Sequence, residues 1–251
     1  MVVKQLKNLF AFLTVFPVTM DENFLTDCAK NMWVFPLIGA FLGLVAGAFG
    51  WVALHVLPAI VVGVLVFALL LLLTGLHHAD GLLDFGDGVM VHGTPERKIE
   101  VMHDKFTGAG GLCLGIMTFL ISALAFGQLG LGVIVAAVVV VEVSAKLSMV
   151  VMAWAGKSVH EGMNSPFLKF MQGKGGNLRL AAALAVSFLI AIPLLRWTGI
   201  LVVLAAIITS LVMVAVAHKN FNGVTGDVFG ATNELSRMVC IIVLLAVIAW
   251  A

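Results

Sequence analysis

A helical membrane crossing needs about 20 consecutive, mostly apolar residues. Seven stretches of this chain meet that need, at about 33–55, 57–76, 109–127, 130–154, 180–196, 198–217 and 237–251. The last is short and the first two are separated only near Pro58. The runs are unbroken, whereas barrel strands alternate over roughly ten residues. Of the 251 residues, 62% are hydrophobic and 11% charged, where a soluble domain is nearer half and a quarter. No water-soluble fold of this length could cover so much apolar surface. The expectation is an all-α, polytopic helical membrane protein with about seven transmembrane helices, forming a single integral-membrane catalytic domain over residues 1–251. Ahead of them, Val2, Val3, Leu6, Leu9, Phe10 and Leu13 follow helical spacing. They predict an N-terminal amphipathic helix in the membrane interface, not a cleaved signal peptide. Cys28, Cys113 and Cys240 lack metal-like spacing and read as packing residues.

The polar segments sort to one side. Residues 1–32, 77–108, 156–179 and 218–236 share one face of the membrane, and the other receives only short turns. Lys4, Lys7, Lys30, Arg97, Lys98, Lys105, Lys157, Lys169, Lys174, Arg179, Lys219 and Arg237 fall on the loop-rich side. Arg196 stands alone opposite, and Lys146 lies within a span. The positive-inside rule then places the long loops in the cytoplasm of a multi-pass cell-membrane protein. A net charge of +1 argues against a nucleic-acid partner. The lipid bilayer is the partner that composition requires, and homo-oligomerisation stays open.

The first long loop carries the chemistry. Asp80, Asp84 and Asp87 are spaced i, i+4 and i+7, which on a helix puts three like charges on one stripe. A divalent cation would relieve their repulsion, and hard carboxylate oxygens suit Mg²⁺ or Mn²⁺. The stripe adjoins the apolar run ending at Leu76, where ionisable groups are costly and usually functional. A solvated acidic turn is the plainer alternative. Gly81, Gly86 and Gly88 would weaken the helix but admit a bulky ligand. Asp104 could complete a metal site with Asp80, Asp84 and Asp87. Arg97, Lys98 and Lys105 suit phosphate oxygens, or anchor the chain at the membrane surface. Gly108 opens the next span, where exposed amides and the helix dipole favour an anion. Close helix packing explains the same glycines. His77 or His78 could act as general base toward a hydroxyl nucleophile.

Other features face the same side. Glu142 and Lys146 form either a buried ion pair or part of a substrate cavity. His160-Glu161-Gly162 opens the third loop. Asp227 and Glu234, with Thr225, Gly226 and Gly230, form a Gly-rich stretch suited to a phosphate or ribose, although alone it is a weak motif.

Taken in order, these segments resemble the cobalamin (cobamide) synthase family, the adenosylcobinamide-GDP ribazoletransferases. The likeness rests on Thr74-Gly75-Leu76-His77-His78-Ala79-Asp80-Gly81-Leu82-Leu83-Asp84-Phe85-Gly86-Asp87-Gly88, on Glu100 to Gly111, and on Gly223 to Glu234. Phe12 to Pro17 and Phe35 to Gly39 are similar to the family's opening. Two positions depart from the pattern. Lys146 stands where the family commonly has Arg, and Val15 where it has a basic residue.

The resemblance implies the last assembly step of cobamide synthesis. A hydroxyl of α-ribazole, or of its 5′-phosphate, attacks the cobinamide-side phosphorus of adenosylcobinamide-GDP, and GMP leaves. It also implies a Mg²⁺ requirement. On this reading Asp80, Asp84, Asp87 and Asp104 hold the metal, with His77 assisting the nucleophile. Arg97, Lys98 and Lys105 neutralise the leaving group. Gly108, Glu142, Lys146, Thr225, Gly226, Asp227 and Glu234 line the substrate site.

Two rival readings fit the sequence less well. A CDP-alcohol-type phosphotransferase would carry Ala-Arg between its aspartate pairs, which is missing here. An ion or organic-ion transporter would favour mid-span acids and internal repeats.

Overall fold

The computed structural model describes residues 2–16, 24–159 and 162–250. His160, Glu161 and Pro17 lie outside the described residues, and so do the expectations placed on them. The chain is all-α: α1 (Val2–Leu13), α2 (Phe24–Lys30), a 3₁₀ turn (Met32–Val34), α3 (Phe35–Ala53), α4 (Ala59–Leu73), α5 (His77–Met90), α6 (Pro95–Met102), α7 (Ala109–Phe126), α8 (Ile134–Ala155), α9 (Ser165–Gln172), α10 (Gly176–Phe221) and α11 (Gly226–Trp250). It is a multi-pass helical membrane protein.

Among the described residues five helices are long and apolar enough to cross a membrane, and α4 passes the same test only when taken together with α5, to which it is bent. The 46-residue α10 is not one rod. Arg196 breaks it with φ 53° and ψ −134°, a conformation costly for an L-residue. A Cβ placed on Gly199 would press into the Ala191 carbonyl eight residues earlier. In a straight helix those residues stand about 12 Å apart, so α10 is a tight helical hairpin. Its arms, 176–195 and 197–221, correspond to the two adjacent spans read from the sequence.

α8 is the central post, buried along nearly its whole length. α3 reaches it through Gly39, Gly43 and Gly47, one residue per turn on one face. A Cβ at Gly43 would lie 2.6 Å from Val139 Cα, and one at Gly47 3.0 Å from Val135 Cα. Small residues at this spacing let membrane helices approach backbone to backbone.

α4 stops at Leu73, and α5 leaves at 94° to it. Gly75 and Leu76 form the corner, both with φ of 64°. α5 therefore lies across the end of the bundle, outside the membrane-spanning segments. The long connections gather at that end. Val15 N donates to the free Leu73 carbonyl at 2.9 Å. Lys98 Nζ reaches Asn220 Oδ1 at 2.7 Å, and Val224 N reaches Lys157 O at 2.7 Å. The opposite end holds short turns, where Gly127 packs on Ile60 and Ala59. The amphipathic α1 lies along the polar end with Leu9 and Leu13 buried.

Two expectations need correction. α11 begins at Gly226 instead of 237, because the polar residues that interrupt the apolar run are themselves helical. Arg237, counted among the loop cations, is fully buried. The asymmetry of the remaining basic residues stands without it.

Candidate active site

The i, i+4, i+7 spacing is realised on α5, with His77 one turn ahead of Asp80. The stripe His77, Asp80, Asp84, Asp87 runs from exposed to buried: His77 and Asp80 face outward, Asp84 is half-buried and Asp87 is buried. Asp227, at the first turn of α11, joins it from the side. Gly81 and Gly230 bring these helices together, since a Cβ at Gly81 would lie 2.9 Å from Asp227 O. On the other flank, a Cβ at Gly86 would lie 2.9 Å from Gly111 Cα of α7. These glycines admit neighbouring helices, whereas the sequence reading had them admit a ligand. Gly88 is likewise filled by Met102 and the Lys98 carbonyl.

Burial, and then the charges of Asp80, Asp227 and Asp87, raise the Asp84 carboxyl from 3.8 to about 7. Three further acids thus act on one half-buried acid. That donor chemistry fits a hard divalent cation, for which carboxylate oxygens are the natural ligands. Among the described residues no three His, Cys, Asp or Glu side chains form a metal-holding group. The four-acid set expected from the sequence is therefore not assembled as a cage. Mg²⁺ in phosphoryl-transfer sites commonly takes one or two carboxylates and completes its shell with water and substrate phosphate, and the open arrangement suits that mode.

Asp87 has a separate task. Its carboxylate accepts hydrogen bonds from Gly108 N at 2.6 Å and Gly111 N at 2.8 Å. The amides at the start of α7, expected to await a substrate anion, are taken by a carboxylate of the protein. Asp104 is exposed, and its Oδ1 accepts from Phe106 N at 3.4 Å. No described contact joins it to the α5 stripe.

The bases divide. Arg97 is exposed and paired with Glu100 at 2.6 Å. Lys98 is committed to Asn220 and to Val89 O, which pins α6 to α5 and to the end of α10. Lys105 is exposed in the connection that leads into α7. Thr225 precedes α11 and accepts from Val228 N at 3.4 Å, acting as its cap. Its hydroxyl also lies 3.4 Å from Asp227 Oδ2. Gly226 is exposed with open space around it.

Glu142, Lys146 and Glu234 are not in the open site. They belong to a buried network in the bundle core. Arg237 Nε and Nη2 donate to the Glu142 carboxylate, and Nη1 donates to Glu234 Oε2. Lys146 Nζ lies 3.9 Å from Glu142 and donates to Asn233 Oδ1 at 2.7 Å. Asn233 Nδ2 in turn donates to Glu234 Oε1 at 3.0 Å. Two cations and two anions balance, so no net charge is left in the low-dielectric interior.

The two histidines separate as well. His78 is buried, with Nδ1 lacking a hydrogen-bond partner. Burial, followed by the charges of Lys146, Arg237 and His77, pushes its pKa well down and keeps it neutral. His77 remains at the open head of the stripe.

Over residues 5–245 the sequence matches the family described as cobalamin-5-phosphate synthase. The chain belongs to the cobalamin-5-phosphate synthase family. An adenosylcobinamide-GDP ribazoletransferase from Methanocella arvoryzae is 33% identical over 259 residues, covering 97% of this chain and 96% of the relative. One from Halorubrum lacusprofundi is 32% identical over 270 residues, covering 100% and 99%. One from Methanococcoides burtonii is 29% identical over 249 residues, covering 95% and 90%. No solved structure matches.

In this cobalamin-5-phosphate synthase family member, sequence reasoning missed three participants. His103, at the end of α6, brings Nε2 to 3.9 Å from Asp227 Oδ2. No periodicity marks it. Arg237 and Asn233 were missed as partners of Glu142 and Lys146, although a signal existed. Unpaired charges inside one apolar helix require counter-charges inside another, and Asn233, Glu234 and Arg237 share a helix face at i, i+1 and i+4.

Proposed function

We propose that this protein is a Mg²⁺-dependent adenosylcobinamide-GDP ribazoletransferase whose active site is the aspartate stripe of α5 together with Asp227. The observation that carries the reading is the close packing of α5 on the start of α11 at Gly81 and Asp227, which sets Asp80, Asp84 and Asp227 near enough to act on one another electrostatically, in a chain that aligns over nearly its whole length with relatives bearing that name. The substrates are adenosylcobinamide-GDP and α-ribazole or its 5′-phosphate. The ribazole hydroxyl oxygen bonds to the cobinamide-side phosphorus, the bond from that phosphorus to the GMP oxygen breaks, and the hydroxyl proton goes to a base.

Asp80 and Asp84 would hold the cation, with Asp227 beside them. Bound there, Mg²⁺ supplies positive charge to the phosphoryl oxygens that gain negative charge during displacement. His77, exposed at the head of the stripe, is placed to take the hydroxyl proton. Lys105 and Arg97 supply positive charge for the departing GMP, and Arg97 must leave Glu100 to do so. Asp87 fixes α7 against α5 and so holds the stripe in place. The site faces the cytoplasm, as the distribution of basic residues favours.

The test is incubation of the purified protein in detergent with both substrates, with and without Mg²⁺, and mass detection of cobamide and GMP. Stoichiometric formation of both, dependent on Mg²⁺ and lost in Asp84→Asn, is expected. Folded protein that forms neither product would overturn the assignment, and equal turnover in a chelator would remove the metal from it.

A further inference from the structure

We propose that Phe106 is a stacking platform for the planar heteroaromatic base of a substrate nucleotide or nucleoside. The inference rests on the transferase reading above and names how that site recognises a base. Residues 103–108, between α6 and α7, are exposed at every position. They are nonetheless tied at both ends, with one hydrogen bond inside the loop. His103 lies 3.9 Å from Asp227. The Phe106 amide donates to Asp104 Oδ1 at 3.4 Å. The Gly108 amide donates to Asp87 Oδ2 at 2.6 Å. Two of these tethers are acids of, or beside, the aspartate cluster, so the loop is fixed relative to the reacting centre.

On this fixed loop Phe106 is 84% exposed. Ile116, Leu120 and Leu189, also strongly exposed and apolar, lie along helices apolar enough to cross a membrane, where lipid accounts for their exposure. Phe106 instead stands among Asp104, Lys105 and Thr107 at the polar end. Its ring makes no packing contribution there. Phenylalanine also lacks the polar handle by which Trp and Tyr settle at the membrane interface. What an exposed ring on a rigid loop offers is a face. A base stacked on it keeps its edges free for other groups, and each such stack contributes enough to matter for affinity. Lys105, the adjacent residue, is a point charge suited to the phosphate that accompanies such a base. Both substrates carry planar bases, the guanine of the GDP moiety and the base of α-ribazole, and the experiment separates them.

Steady-state kinetics of Phe106→Ala, Phe106→Leu and Phe106→Trp are measured against each substrate in turn. Phe106→Ala is expected to raise KM for one substrate roughly tenfold, with kcat moving far less. Trp restores the low KM and Leu does not, because an aromatic face and not bulk is required. The substrate whose KM moves identifies the base. In parallel, the fluorescence difference between Phe106→Trp and the parent protein is titrated with GMP and with α-ribazole, and with vesicles of brominated phosphatidylcholine. Saturable quenching by one of the two small molecules supports the proposal. Equal KM values across the three variants, or quenching by the brominated lipid alone, overturns it. A parent protein that forms no cobamide defeats the transferase reading, while the fluorescence titration still reports on Phe106.

Discussion

The Arg237 guanidinium and the Glu142 carboxylate meet on α11 and α8 in the interior of the bundle, and neither side chain reaches solvent. With Lys146, Asn233 and Glu234 they form a closed set in which each formal charge has a partner. Removing one member strands its counter-charge, at a cost of about 3–5 kcal/mol. Arg237→Met is therefore expected to lower thermal stability in detergent sharply. The double variant Arg237→Met with Glu142→Gln leaves Lys146 and Glu234 balanced and should recover much of the loss. Midpoints of unfolding for the single and double variants check this. Additive losses would show that the pair is not coupled.

Asp87 closes the start of α7 through Gly108 and Gly111. Asp87→Ala leaves both amides without that acceptor, and loss of a cap of this kind costs about 0.5–2 kcal/mol. Asp87→Asn keeps one oxygen acceptor and should lose less. Trypsin cleavage after Lys105 is a direct readout, because the 103–108 loop is released when Gly108 is. The expected order of cleavage rate is Ala, then Asn, then parent.

The Asp84 carboxyl is raised to about 7 by burial and by Asp80, Asp227 and Asp87. Near neutral pH it is therefore divided between the protonated and ionised forms. The folded protein holds a proton there that the unfolded chain has released above about 4. Without cation, this group makes folding less favourable as pH rises from about 4 to 7, and flat beyond. A bound divalent cation favours the ionised form and removes that trend. The Mg²⁺ concentration for half-maximal turnover should then increase as pH is lowered through 7, with proton release on Mg²⁺ addition at pH 6.5. Isothermal titration in two buffers of different ionisation enthalpy measures that release. Asp84→Asn should abolish it.

Orientation is open to chemical labelling. In a Cys113→Ser background, Lys105→Cys should react with a membrane-impermeant maleimide in inside-out vesicles and not in intact cells. Val56→Cys, in the short turn at the opposite end, should show the reverse. Cys28 and Cys240 are buried and give little background.

The crossings were legible because lipid demands long apolar runs, and the α10 hairpin could be divided at Arg196 from the charge alone. The stripe on α5 was legible because helical periodicity acts over a few residues. What stayed hidden depends on partners distant in sequence. Arg237 reads as a loop cation until Glu142, 95 positions away, is placed against it. The residues after 225 read as loop because polar side chains break the apolar pattern, yet Thr232, Asn233, Glu234 and Arg237 have buried partners and the helix runs through them. Gly81 and Gly86 read as room for a ligand because sequence does not show which backbone will fill the space. His103 has no local pattern, and only the course of the chain after α6 brings it to Asp227.

α4 contains fifteen residues, about 22 Å of helix, against a hydrocarbon thickness of about 30 Å. Thinning of the adjacent lipid is one way to meet such a mismatch. A leaflet drawn down where the chain turns at Gly75 would bring water to the acids of α5, and a large polar reactant would then reach them without shedding its hydration in oil.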